Sequence, residues 1–120
     1  MMEVAYRCGF DAAHRFESYP EGHPYRGVHG HSFQVEVAVR GEPDPQSGFV
    51  ADLGRIEAAC DGVRAALDHR MLNEIGGLEK PSLENLCLFI WSALAPRFVN
   101  LSRVTVRRDS IGQSCSYTGR

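Results

Sequence analysis

Residues 32–40 read Ser32-Phe33-Gln34-Val35-Glu36-Val37-Ala38-Val39-Arg40. Phe33, Val35, Val37 and Val39 share one parity and the other parity is mostly polar, which is the two-residue period of a half-buried strand. Working toward the N-terminus, Val4, Tyr6, Cys8 and Phe10 alternate in the same way ahead of His14. Toward the C-terminus, Val104 and Val106 do so within residues 101–109, and residues 114–119 can supply a fourth, edge strand.

The segment between these strands changes period. Leu53, Ile56, Cys60, Val63 and Leu67 recur at steps of three and four, which places them on one stripe of a helix. Leu83, Leu86, Cys87, Ile90 and Leu94 form a second stripe, with Pro81 or Ser82 at its first turn, Glu84 near the positive end of the dipole and Pro96 beyond its end. Gly41-Glu42-Pro43-Asp44-Pro45-Gln46-Ser47-Gly48 is turn chemistry, and Gly76-Gly77 separates the helices. The order strand, strand, helix, helix, strand, strand predicts an α+β fold: a four-stranded antiparallel sheet with both helices on one face. Two free edges and a helix-free face then favour a homo-oligomer joined edge to edge.

Composition narrows the class. A chain of 120 residues suits one domain, residues 1–120. Hydrophobic residues at 43% and charged residues at 23% are ordinary for a globular protein, which argues against disorder and membrane-spanning classes. A net charge of −2 with interspersed signs lacks the basic patch that binding to nucleic acid requires. Residues 1–8 contain no basic leader followed by an apolar run, so the expected location is cytoplasmic. Cys8, Cys60, Cys87 and Cys115 form no Cys-x-x-Cys pair and read as small buried thiols.

Three of the five histidines stand at the ends of the first two strands: His14, His29 and His31. In a strand, residues i and i+2 point the same way about 7 Å apart, so His29 and His31 can converge on one ion while Gly30 permits close backbone approach. A hairpin brings His14 beside them. Three neutral imidazoles without a thiolate leave zinc a position for water or substrate, the catalytic pattern, in which the ion acts as a Lewis acid. An exposed, merely polar His-x-His pair is the bland reading of residues 29–31, and His14 tips the balance. Asp68 and His69 offer a carboxylate and an imidazole for proton relay, although neighbours on a helix do not face each other and His69 could simply complement the helix dipole.

The ordered set Ala12-Ala13-His14, Glu21-Gly22-His23, His29-Gly30-His31-Ser32-Phe33, Gly48-Phe49-Val50-Ala51-Asp52, Leu67-Asp68-His69 with Leu72-Asn73, and Pro81-Ser82 with Glu84-Asn85 resembles the 6-pyruvoyl- and 6-carboxy-tetrahydropterin synthase family. The resemblance runs nearly end to end, and the spacing from Glu21 to His29 is most similar to the bacterial 6-carboxy branch, which makes the precursor of deazapurines such as queuosine. It implies the tunnelling fold, in which the sheets of three subunits close into a barrel and two trimers stack into a hexamer. It also implies zinc on His14, His29 and His31, 7,8-dihydroneopterin triphosphate as substrate, and a pocket between subunits in which zinc acidifies the side-chain hydroxyls.

Two positions depart from that pattern. The family's cysteine, whose thiolate moves protons with help from the Asp-His pair, is Tyr25 here. A phenol of pKa about 10 is a poorer base at neutral pH than a thiol of about 8.5 unless a cation lowers it. The resemblance also implies an acidic pterin anchor after the third strand; Asp109, followed by Ser110, stands there in place of glutamate. Ser82 and Glu84 are further candidates to line the pocket, with helix capping as the alternative. The expected function is a zinc-dependent lyase with Asp68, His69 and Tyr25 moving protons and Asp109, Ser110 and Ser82 contacting substrate. The alternative is a diverged paralogue that binds zinc and a pterin-like ligand without the usual catalysis.

Overall fold

The computed structural model describes residues 1–120. Its first two strands, β1 (Met2–His14) and β2 (His29–Gly41), form an antiparallel hairpin that pairs residue by residue along its whole length, from Met2 opposite Gly41 to His14 opposite His29. Both strands extend further than the hydrophobic alternation alone implies, and the extension carries the histidines. Helices α1 (Leu53–Leu67) and α2 (Leu83–Leu94) follow, then β3 (Leu101–Arg108) and β4 (Gln113–Tyr117). The sheet order is β1-β2-β3-β4, antiparallel throughout, as the alternation pattern predicts.

Both helices cover one face. Ile56, Cys60, Val63 and Leu67 of α1 and Leu83, Leu86, Cys87, Ile90 and Leu94 of α2 are buried against Phe10, Phe33, Val35, Val37, Val104 and Val106. Leu53 is the exception: it is the first residue of α1 and stays exposed. Asp52 caps α1 by accepting the Gly54 N–H at 2.8 Å, and Ser82 caps α2 by accepting that of Asn85 at 3.1 Å. The opposite face is polar, where Arg103 bridges Glu36 at 2.7 Å and Glu3 at 2.9 Å. No helix is long and apolar enough to cross a membrane.

After α1 the chain stays close to the sheet. Asp68 is extended rather than helical, His69 takes φ 58°, and Met71 makes an isolated parallel bridge to Ala13. Residues 68–71 therefore run beside the far end of β1, where the Ala13 N–H donates to the Arg70 carbonyl at 2.9 Å and the His69 N–H to the Asp11 carbonyl at 2.6 Å. Gly112 at φ 65° closes the tight turn between β3 and β4, a conformation that glycine adopts without penalty.

Candidate metal centre and its surroundings

His14 and His29 are direct cross-strand partners, and His31 lies two residues along β2 on the same face. Strand geometry thus forces the three rings together: their centroids are 4.6 Å (His14–His29), 5.0 Å (His14–His31) and 5.0 Å (His29–His31) apart. One ligand atom from each fits within 4.8 Å of the others. Gly30 allows this approach, since a Cβ there would sit 3.3 Å from the Ala12 carbonyl oxygen.

The chemistry of the three rings fits a metal ion. Each Nε2 is buried and has no hydrogen-bond partner, which is costly unless something accepts its lone pair. Two of the other nitrogens are engaged: His14 Nδ1 lies 3.3 Å from the Pro81 carbonyl and His29 Nδ1 2.8 Å from the Gly27 carbonyl. A ring that donates its Nδ1–H to a carbonyl is held in the tautomer that leaves Nε2 free to bind metal. Burial, reinforced by the neighbouring His29 and His31, drives the His14 pKa down to about 4, and burial also lowers that of His31. His14 and His31 are therefore neutral at pH 7, the state a metal requires.

Tyr25 comes from the 15–28 loop, which closes through the Phe16 N–H to the Tyr25 carbonyl at 3.0 Å and through Arg26 Nη1 to the carbonyls of Glu17 and Tyr19 at 2.8 and 2.7 Å. Its ring stacks on His29, with centroids 5.2 Å apart and planes 20° apart, and stands edge-on to His31 at 6.5 Å. His23, the fourth histidine in a recognised motif, is not part of the triad; it stacks on Tyr19 at 4.2 Å and accepts the Tyr25 N–H at 3.1 Å.

Asp68 and His69 do bond directly, Oδ2 to Nδ1 at 3.0 Å. The helical objection does not apply because Asp68 has already left the helix and His69 is left-handed. Asp68 Oδ1 also accepts the Asp11 N–H at 2.9 Å, and that bond is the main reason its carboxyl is held below the usual range. His69, 80% exposed at its side chain, borders a cleft of about 550 Å³ with Asp11, Gly30, Ser32 and Arg70. No ring contact joins it to the triad within one chain. The relay pair is assembled, but its imidazole opens outward.

The expected substrate-binding residues are placed differently. Asp109 is exposed and held by Arg107, Nε to Oδ1 at 2.9 Å and Nη2 to Oδ2 at 3.2 Å, with Arg7 of the helix-free face also lowering its pKa. Ser110 is exposed in the same turn. Neither is brought to the triad. The reason is parity: Val104 and Val106 point toward the helices, so on β3 it is Arg108 that shares their face. Arg108 is 9% exposed, influences the pKa values of His14 and His31, and is missing from the sequence-based site, although alternation from Val104 could have found it. Ser82 borders a cavity of about 630 Å³ with Arg15, Phe16, Asn73 and Lys80, but its hydroxyl already caps α2.

The cysteines lie elsewhere. Cys8 packs against Cys60, while the Cys87 thiol donates to the Cys115 carbonyl at 3.3 Å, which places Cys115 over α2. All four are free thiols.

Residues 3–120 match the sequence family described as 6-pyruvoyl tetrahydropterin synthase. A dihydroneopterin monophosphate aldolase of Pyrococcus furiosus is 37% identical over 108 residues, 86% of each chain. A 6-carboxy-5,6,7,8-tetrahydropterin synthase of Synechocystis is 36% identical over 90 residues, 71% of this chain and 68% of that protein. Among solved structures, the 6-pyruvoyl tetrahydropterin synthase of Caenorhabditis elegans superposes with a TM-score of 0.87 at 25% identity, covering 99% of this chain and 96% of that one.

Proposed function

The chain belongs to the 6-pyruvoyl tetrahydropterin synthase family, and on that premise we propose that it is a zinc-dependent lyase acting on the side chain of 7,8-dihydroneopterin triphosphate or a related phosphorylated dihydropterin. The observation that carries this reading is the set of three buried Nε2 atoms on His14, His29 and His31, unpartnered and close enough to share one ion. A donor set of three neutral nitrogens with no thiolate matches catalytic rather than structural zinc. Bound there, zinc would supply Lewis acidity to the hydroxyl oxygens of the substrate side chain.

The protein's own groups handle the protons. Tyr25, stacked on His29, presents a phenol beside the triad as acid or base. Asp68 fixes the orientation of His69 through Nδ1, which leaves its Nε2 free to accept a proton and return it. Because that imidazole opens outward, its place in the reaction is at the triad of a neighbouring copy, with the pocket shared between subunits of an edge-to-edge barrel. The free edges β1 and β4 and the polar helix-free face support such an assembly.

The activity for which the Pyrococcus relative is named favours a second form of the same chemistry, aldolase-type carbon–carbon cleavage of a monophosphorylated substrate. The two forms separate in one experiment: zinc-loaded protein is incubated with dihydroneopterin triphosphate and, separately, with the monophosphate, and products are followed by mass. A carboxylated tetrahydropterin assigns the synthase reaction, and a hydroxymethyl pterin assigns the aldolase. Zinc and pterin binding without turnover of either compound would overturn the lyase reading in favour of a diverged binding protein.

A further inference from the structure

Arg108 is the only arginine or lysine in the buried set, and it has no partner. Its Nε is buried without an acceptor, and its guanidinium makes no hydrogen bond or ion pair with any group of the chain. A buried cation left unpaired is strongly unfavourable, so residues in this state are retained where something else completes them. Arg108 follows Arg107, which pairs with Gln34, and shares the face of Val106, so it stands on the same face as Phe33, whose ring meets His14 and His31; Tyr19 and Tyr25 of the 15–28 loop and Glu84 of α2 are near enough to act on its charge. Glu84 is the only acid among them; it is exposed and stays beyond ion-pairing distance.

A site formed by Arg108 and the triad would thus combine a guanidinium with three metal-binding nitrogens on one face of the sheet, with Tyr25 stacked on His29 beside them. An ion on the histidines would add to the positive field of Arg108. Such a pocket selects a ligand rich in anionic oxygen, because a planar guanidinium binds carboxylate and phosphate through paired, charge-assisted hydrogen bonds. It repels the amino-pyrimidine edge of a pterin, which offers donors where Arg108 needs acceptors.

We infer that Arg108 is the anion-recognition residue of this pocket, and that its ligand carries a phosphate or carboxylate group within a few bonds of the hydroxyls presented to His14, His29 and His31. This rests on the metal-site reading above and deepens it, by stating which end of a substrate the buried arginine takes. A phosphate on the terminal carbon of a side chain whose other hydroxyls face the triad meets the requirement. So does a carboxylate attached directly to the ring.

The test uses the zinc-loaded full chain, Arg108→Met and Arg108→Lys. Calorimetry measures binding of inorganic phosphate, 7,8-dihydroneopterin, its monophosphate and pterin-6-carboxylate, and each protein is also melted without ligand. The parent should prefer an anionic pterin over the neutral one by roughly tenfold or more, Arg108→Met should lose that preference, and Arg108→Lys should keep part of it. Preference confined to the monophosphate assigns phosphate, and preference confined to the carboxylate assigns carboxylate. If inorganic phosphate raises the melting temperature of the parent but not of Arg108→Met while no pterin binds, the role of Arg108 stands and the pterin reading falls. Without ligand, Arg108→Met should melt higher than the parent, because it removes an unpaired buried charge. A lower melting temperature would mean that a protein acid, from a neighbouring copy, already satisfies Arg108. That result, or an anion preference unchanged in Arg108→Met, overturns the inference.

Discussion

The ring of Tyr25 lies nearly parallel to the imidazole of His29, 5.2 Å away with 20° between the planes. The contact fixes where the phenol stands without involving its hydroxyl, so Tyr25→Phe preserves the wall and removes only the proton-transferring atom. Steady-state kinetics should show kcat lower by about 10²-fold or more with zinc content unchanged, the range that positioned acid–base groups contribute. Tyr25→Cys, which restores an ionisable group of lower reference pKa, should turn over faster than Tyr25→Phe. Equal rates for the parent and Tyr25→Phe would reduce Tyr25 to a packing residue.

The orphaned nitrogens of the triad predict a stability that depends on zinc. At a free concentration 100 times its Kd, zinc should stabilise the folded chain by about 2.7 kcal/mol through mass action alone. Thermal melts with and without a chelator measure this. His31→Ala should abolish the zinc-dependent rise while the apolar core under the helices holds the fold.

Phe33 ties the core to the metal centre. It is fully buried, stacks on Phe10 at 4.9 Å and meets His14 and His31 edge-on at 5.9 and 5.7 Å. Phe33→Ala should cost about 3–5 kcal/mol of unfolding free energy from the lost burial and the cavity. Because the cavity opens against two of the ligands, zinc affinity should fall as well. Phe33→Leu, which fills most of the space, should lose less of both. Denaturant unfolding and zinc titration of the two variants check this.

Asp68 gives the pH dependence. Its carboxyl is held below the usual range chiefly by the Asp11 N–H, then by His69 and Arg64. A depressed folded pKa stabilises the protein above the unfolded value of about 3.9, and that contribution disappears as pH falls through the lower folded value. Asp68→Asn keeps the acceptor for Asp11 but not the charge. It should therefore melt below the parent at neutral pH, and the gap should close as the pH is taken below about 4. A gap that persists unchanged in acid would show that the loss is steric.

The parts of the molecule governed by local period were readable in the sequence. Val35, Val37 and Val39 announce β2, the stripe from Ile56 to Leu67 announces α1, and both prove buried as their spacing requires. The triad was readable for the same reason, since His29 and His31 share a parity and a hairpin returns His14 beside them. What depended on exact termination was not. Whether Asp68 reaches His69 turns on α1 ending one residue earlier, and a left-handed His69 is a tertiary outcome of residues 68–71 docking on β1. Arg108 was open to the same reading, since the alternation from Val104 and Val106 puts the arginine inside and leaves the aspartate outside with Arg107.

Three imidazoles sharing one ion would be the centre of this chemistry, and zinc K-edge absorption spectroscopy on the purified protein tests that most directly. One zinc per chain with imidazole nitrogens from three histidines and no sulfur is the expected spectrum, lost in His29→Ala. Zinc bound through thiolate sulfur, or a protein that takes up no stoichiometric zinc, would contradict it.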